Sequence, residues 1–206
     1  MRMQSIDSRI VKRIIGRKRG WCFTPMDFLD LGSRQAVDTA LSRLAKSGRI
    51  RRLSRGLYDY PKSHKRIGLL SPPPESVIEA LTRRDRVQLQ PTGAYAANLL
   101  GLSDQVPMKV VYLTNGPSRR VRIGNQEIIL KTMAPRFMAT AGRPSGTIIQ
   151  ALRHLGKAHV TIENIERLRK AFTATEKQQI LKDLGLAPAW MHRWLRAIAA
   201  EGNPCE

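Results

Sequence analysis

The hydrophobic and polar positions in the first part of the chain predict three helices followed by two strands. Isoleucines at residues 6, 10 and 14 form one apolar stripe, as an amphipathic helix requires. Thr24 and Pro25 are typical of the start of a second short helix, and Ser33 is a good N-cap for the third. The predicted helices cover residues 5–15, 25–31 and 34–47, and the predicted strands cover residues 49–53 and 57–60.

The third predicted helix has two contrasting faces. Its apolar side chains recur at the i, i+3, i+4, i+7 spacing of a buried stripe: Val37, Ala40, Leu41 and Leu44. The opposite face carries polar and basic side chains: Arg34, Gln35, Asp38, Thr39, Ser42, Arg43 and Lys46. A turn containing Gly56 then joins the two predicted strands into an arginine-rich β-hairpin. This order of elements predicts a winged helix-turn-helix.

Beyond residue 71 the pattern predicts a mixed domain. Ser71 precedes three prolines, which favour a stiff extended spacer and mark a domain boundary. We therefore predict a first domain over residues 1–70 and a second over residues 75–206. Predicted helices cover residues 74–83, 92–100, 147–155, 161–172, 175–184 and 188–200, and predicted strands cover residues 87–90, 109–114, 119–123 and 127–131. The predicted fold class is α+β, with a small sheet and a helical C-terminal layer in the second domain.

The charge of the chain indicates the chemistry of its partner. Lys and Arg number 36 against 16 Asp and Glu, a net charge of +20. The excess is densest in residues 1–70, which carry 17 basic and 5 acidic side chains. Such a surface attracts polyanions, because each neutralised phosphate releases condensed counterions.

Other classes of protein find less support in the sequence. No apolar run reaches the length of a membrane-spanning helix, and the N-terminus lacks the apolar segment of a secretory signal. Cys22 and Cys205 are far apart, with no metal-ligand spacing. We therefore expect a cytoplasmic protein with no membrane partner, no cofactor and no metal.

The outer face of the third helix is the candidate DNA-reading surface, because a helix fits the major groove, where base edges are distinguishable. Arg34 and Gln35, near the helix start, are expected to reach bases, whereas Arg43 and Lys46 are expected to meet phosphates. The hairpin arginines would contact the backbone or the adjacent minor groove. The predicted DNA-binding residues are Ser33, Arg34, Gln35, Thr39, Ser42, Arg43, Lys46, Arg51, Arg52 and Arg55.

Several stretches resemble the AbiEi-type antitoxins of type IV toxin–antitoxin systems. In the first domain the resemblance lies in Thr24-Pro25, in residues 32–37 and 41–44, and around the wing at residues 48–50 and 55–58. In the second domain it lies in residues 91–102, which contain Ala-Ala-Asn-Leu-Leu-Gly-Leu, and in residues 111–116. It covers residues 5 to about 155, and the wing motif is shared by many regulators.

The resemblance implies a two-part function. The first domain would repress its own operon at inverted repeats in double-stranded operator DNA, and the second would counter a nucleotidyltransferase-fold toxin encoded by the adjacent gene. Two alternatives stay open: a stand-alone winged-helix regulator whose second domain dimerises or senses a ligand, and a DNA-processing enzyme such as a nuclease.

Some features support a structural role more than a chemical one. His154 and His159 lack a third convergent metal ligand, and residues 142–146 are expected to be a linker. Cys22 is expected to be a core residue. Arg119, Arg120 and Arg122 alternate with apolar residues along a strand, which suits a second nucleic-acid contact, a surface for an acidic partner or a solvated sheet edge.

Overall fold

The computed structural model of this protein describes residues 5–200, which form a mixed α+β structure as predicted. Its contacts divide the described residues into two compact units. The first unit extends to Val87 and also includes Val121–Glu127, and the second comprises Gln88–Arg120 and the residues from Ile128 onward. No helix in the described range is long and apolar enough to cross a membrane.

The first unit alternates short helices and strands. Its elements in chain order are α1 (Ile6–Gly16), β1 (Cys22–Phe23), a 3₁₀ helix (Pro25–Phe28), α2 (Arg34–Lys46), β2 (Arg51–Ser54), β3 (Leu57–Asp59), β4 (Ser63–His64), β5 (Gly68–Leu69) and α3 (Pro74–Asp85). Strands β1, β3 and β2 form an antiparallel sheet with β3 in the centre. The apolar stripes of α1 and α2 pack with Phe23, Phe28 and Tyr58 in one core.

The second predicted helix is shorter than expected. Its start is as predicted: the Thr24 backbone N–H donates to the Asp27 carboxylate at 2.8 Å, in a capping box. Only one 3₁₀ turn follows, and it ends before Leu29. The short turn is sufficient to place Phe28 in the core, where it is fully buried, and Pro25 of the same turn is also buried.

The residues after β3 contain elements that the sequence did not predict. The basic segment 61–66 contains β4, which pairs with β5 as a second hairpin. Helix α3 belongs to the first unit, although the proline boundary placed it in the second domain. Arg83 of α3 explains this placement, because it donates to the Cys22 carbonyl at 2.9 Å and to the Asp27 carboxylate at 3.0 Å.

The second unit contains most of one sheet and a helical layer. Its strands are β6 (Leu89–Pro91), β7 (Lys109–Thr114), β8 (Arg119–Ile123) and β9 (Gln126–Thr132), in the order β6-β7-β9-β8, with the residues between Val121 and Glu127 grouped in the first unit. Its α-helices are α4 (Gly93–Leu99), α5 (Pro144–Leu155), α6 (Ile162–Ala171), α7 (Ala174–Lys182) and α8 (His192–Ala199). Apolar residues of α5, α6, α7 and α8 form its main core.

The expectation of a linker at residues 142–146 is wrong. Pro144 is the first residue of α5, and Ser145 is fully buried. The Ser145 hydroxyl donates to the buried Asp183 carboxylate at 2.5 Å, and Arg143 donates to the same carboxylate at 2.7 Å. The sequence could not indicate this role, because Asp183 is distant along the chain.

Among the described glycines of this unit, Gly146 leaves the least space for an added Cβ atom. A Cβ atom there would collide with the side-chain oxygen of buried Gln90 and with the Thr140 carbonyl. We expect Gly146→Ala to lower the free energy of unfolding by about 1–3 kcal/mol, because a packed interior does not absorb an added methyl group. Gly185→Ala is the matched control, since no atom lies within 4 Å of its added Cβ. Equal stability of the two variants in urea unfolding would contradict this packing argument.

Candidate nucleic-acid interface

Helix α2 has the two faces that the sequence predicted. Its apolar stripe is buried: Val37, Ala40, Leu41 and Leu44. The Ser33 hydroxyl caps the helix by accepting from the Ala36 backbone N–H at 3.3 Å. Burial of the stripe fixes the rotation of α2, so the opposite polar side chains all point to solvent.

The two arginines of the outer face pair with carboxylates that solvent can reach: Asp38 is exposed and Asp7 is half-buried. The Arg34 Nε donates to the Asp38 carboxylate at 2.9 Å, and the Arg43 Nη2 donates to the Asp7 carboxylate at 2.9 Å. The Arg34 and Arg43 side chains are 56% and 61% exposed. Ion pairs this exposed contribute at most about 1 kcal/mol, so both guanidinium groups can exchange their carboxylates for other anions at little cost.

The remaining candidates on α2 are also at the surface. Gln35, Thr39, Ser42 and Lys46 are all exposed. The Thr39 hydroxyl donates to the Gln35 backbone carbonyl at 2.9 Å. This hydrogen bond does not involve the Gln35 side-chain amide. The structure therefore brings all the predicted α2 residues together on one solvent-facing side.

The β2–β3 hairpin presents two of its predicted arginines to solvent. Arg52 lies on β2 and Arg55 lies in the turn, and both side chains are exposed. Gly56 follows in the left-handed region at φ 69°, a conformation that glycine adopts without strain. The hairpin thus ends in a tight turn with a cation at its tip.

Arg51 was predicted to contact DNA, but in the structure its side chain bonds to other residues of the protein. Its guanidinium donates to both carboxylate oxygens of Asp59, at 3.0 and 2.6 Å, and to the Leu70 carbonyl at 2.8 Å. Asp59 is only 1% exposed. The hydrogen bonds to Asp59 raise the pKa of Arg51, which therefore stays charged and ties β2 to β3. Arg51 holds the hairpin, whereas Arg52 and Arg55 face outward.

Further basic side chains near these elements were absent from the predicted set. The exposed members are Arg49, Lys62, Lys65 and Arg66. Lys65 and Arg66 lie in the turn between β4 and β5. For Lys62, Lys65 and Arg66 a signal existed in the sequence, since residues 61–70 contain no acidic side chain, but no strand pattern accompanied it.

The other candidate chemistry has structural explanations. Burial raises the pKa of the Cys22 thiol to about 12, so at neutral pH it is not a thiolate. His159 and His192 bond to the Leu155 and Ala187 carbonyls, each at 3.1 Å. Among residues 5–200, no three His, Cys, Asp or Glu side chains converge as a metal site would require.

The arginines of β8 lie along a sheet edge. β8 is the last strand in its sheet, with Val121 and Ile123 buried and Arg120 and Arg122 exposed. Charged side chains on an edge strand oppose pairing with another chain. Arg119 and Arg120 also interact with other residues of the protein.

Comparison with known proteins identifies a family whose function is unknown. No curated protein matches the chain. A family model described as a family of unknown function matches residues 9–180, which include α2, the β2–β3 hairpin and most of the second unit. The chain therefore belongs to this family of unknown function, DUF6088.

Proposed function

We propose that the first unit is a winged helix-turn-helix that binds double-stranded DNA. In this proposal α2 is the recognition helix and the β2–β3 hairpin is the wing. The observation that carries it is the outer face of α2, where Arg34, Gln35 and Arg43 are exposed on a helix whose opposite stripe is buried. A major groove admits a helix with long donors on its exposed side.

The proposed contacts divide into base readers and phosphate binders. Arg34, Gln35 and Thr39 lie in the first half of α2, the part that reaches base edges in helix-turn-helix proteins. Arg43 and Lys46 near its end would meet phosphates, as would Arg52 and Arg55 of the wing, which could also reach the adjacent minor groove. Ser33 caps the start of α2, so its backbone and hydroxyl would lie at the groove. Arg51 is assigned a positioning role through Asp59.

Substitutions at Arg34 and Gln35 test the reading of bases. We expect Arg34→Ala and Gln35→Ala each to weaken binding to preferred DNA by about 1–3 kcal/mol, with loss of sequence preference, because each removes a base contact. The duplex would be selected from a random pool by the wild-type protein, and affinity measured by fluorescence anisotropy for selected and scrambled sequences. Ser47→Ala, which changes an exposed side chain just after α2, is the control. Equal losses on both sequences would contradict the base-reading role.

The role of the second unit in the proposal is antitoxin activity, and the resemblance to AbiEi-type antitoxins carries it. The resembling residues form α4 and β7, in which Tyr95, Ala96 and Tyr112 are buried. The same stretches also contain exposed side chains, Leu99 and Asn115. Autorepression at inverted repeats would link the two activities.

Co-expression separates the antitoxin from the stand-alone regulator. The adjacent gene would be expressed with the full-length chain or with its Arg34→Ala/Arg43→Ala/Arg52→Ala variant. The antitoxin proposal predicts that both chains restore growth, while only the wild type represses an operator reporter. If the product of the adjacent gene is not toxic, or if neither chain restores growth, the antitoxin proposal is contradicted and the stand-alone regulator is the remaining interpretation. The nuclease alternative gains no support from residues 5–200, where no carboxylate cluster converges.

A further inference from the structure

A cavity of about 320 Å³ lies within the first unit, among α1, the end of α2 and the strands that follow. Its apolar lining includes the buried residues Ile14, Leu44 and Ile50. This volume is within the range of small-molecule sites, which are mostly apolar with a few convergent polar groups.

The lining of this cavity also includes apolar side chains that are largely exposed to solvent. Ile15 and Leu69 both line it and are 58% and 61% exposed. They come from α1 and β5, so they flank the opening from two elements. An apolar body seated between them would cover surface that is otherwise in water, which is favourable in proportion to its area.

Two arginines give the cavity its charge preference. The Arg19 guanidinium donates to the Pro61 carbonyl at 2.9 Å and lies 4.7 Å from the Tyr60 ring centroid, so its position is fixed. Arg49 also lines the cavity, and its guanidinium has no hydrogen bond or ion pair with any residue in the described range. No acidic side chain lines the cavity. Its electrostatics therefore favour an anion.

We propose that this cavity binds a small organic anion, a carboxylate on a compact apolar body, and that the bound anion weakens DNA binding. The apolar body occupies the space above Ile14, Leu44 and Ile50, and the carboxylate pairs with Arg49 and Arg19. The coupling to DNA rests on the proposed function, whereas the site itself does not.

The coupling follows from the elements that form the cavity. Leu44 belongs to α2, and Arg49 and Ile50 connect α2 to β2. An anion at Arg49 adds negative charge three residues from Lys46 and three from Arg52, both proposed phosphate contacts. It also occupies the connection between the proposed recognition helix and wing. Coupling between two sites is reciprocal, so DNA would weaken binding of the anion by the same factor.

The site is tested first with the full-length protein alone. Isothermal titration with sodium octanoate is expected to give a Kd of about 1 mM or tighter, while octan-1-ol and octylamine bind at least about tenfold more weakly. Leu69→Asp places a carboxylate at the rim and is expected to abolish octanoate binding, and Arg49→Gln to weaken it at least about tenfold. Ile67→Asp, at a 71% exposed position outside the cavity lining, is the matched control.

Three results would overturn the site: no octanoate binding, equal binding of the three probes, or equal loss in Leu69→Asp and Ile67→Asp. A dimer that Leu69→Asp dissociates and octanoate does not enter would also overturn it, because a second copy would then occupy the cavity. The coupling is tested on selected DNA, where saturating octanoate is expected to lower affinity about fivefold or more in the wild type and Ile67→Asp only. Unchanged DNA affinity in saturating octanoate would overturn the coupling. Absence of any DNA binding would overturn the proposed function. In that case the titration with octanoate would still test the site.

Discussion

Replacing Arg51 by alanine is expected to lower the free energy of unfolding of the first unit by about 3 kcal/mol. Asp59 is 1% exposed, and both its carboxylate oxygens accept from Arg51. The substitution leaves a buried carboxylate without its cation, which costs more than the pair contributes. Because Arg51 itself is 28% exposed, water can reach the vacated position and hold the loss at the lower end of the range for buried pairs.

The neighbouring arginine provides the control for this prediction. Arg52 is exposed and has no such partner among the described residues, so Arg52→Ala should change stability by about 0.5 kcal/mol or less. Urea unfolding, with amide hydrogen exchange in β3 as a local readout, compares the two variants. Equal stability of Arg51→Ala and Arg52→Ala would contradict the positioning role, since sequence alone places both arginines on one strand.

Removal of Arg34, Arg43 and Arg52 together is expected to weaken binding to selected DNA at least about 100-fold. Each loses a base or phosphate contact of about 1 kcal/mol or more, and about 1.4 kcal/mol corresponds to a factor of ten. The dependence of affinity on salt should also become less steep, because fewer counterions are released. The three side chains are exposed, and the ion pairs of Arg34 and Arg43 are weak, so the fold is expected to survive the substitutions.

A charge-matched variant separates the interface from net charge. Arg153, Lys157 and Arg196 are exposed side chains of the second unit, and their replacement by alanine removes the same three positive charges. Anisotropy titrations at several salt concentrations are expected to show near wild-type affinity for this control. Full affinity in the Arg34/Arg43/Arg52 variant, or equal losses in the two triple variants, would contradict the proposed interface.

Local patterns predicted the α-helices and the longer strands of both units, whereas β4 and β5 were not predicted and the second helix is shorter than predicted. α1 and α2 each bury one stripe of regularly spaced apolar residues, and a pattern of this kind depends only on the helical period. The cap at Ser33 was also predictable, because its hydroxyl bonds to a backbone N–H three residues away. The outer face of α2 followed directly, since the position of the buried stripe determines which side chains face solvent.

Long-range partners account for what the sequence missed. Ser145 looked like a linker residue, yet Asp183 draws it into the interior from 38 positions away. α3 was assigned to the second domain, yet Arg83 bonds to Cys22 and Asp27. The spacing of apolar and polar residues within one segment contains no information about such contacts, because the two partners lie in different segments of the chain.

The sequence by itself determined the α+β class, the two-faced helix α2 and the basic character of the first unit, because each depends on residue types within one segment. The tertiary structure decided which arginines are free. Arg51 and Arg52 are indistinguishable as consecutive strand residues, but the pleat points one toward Asp59 and leaves the other in solvent. Side chains alternate across a strand, so only the position of the partner carboxylate determines which arginine holds the hairpin and which can meet a phosphate.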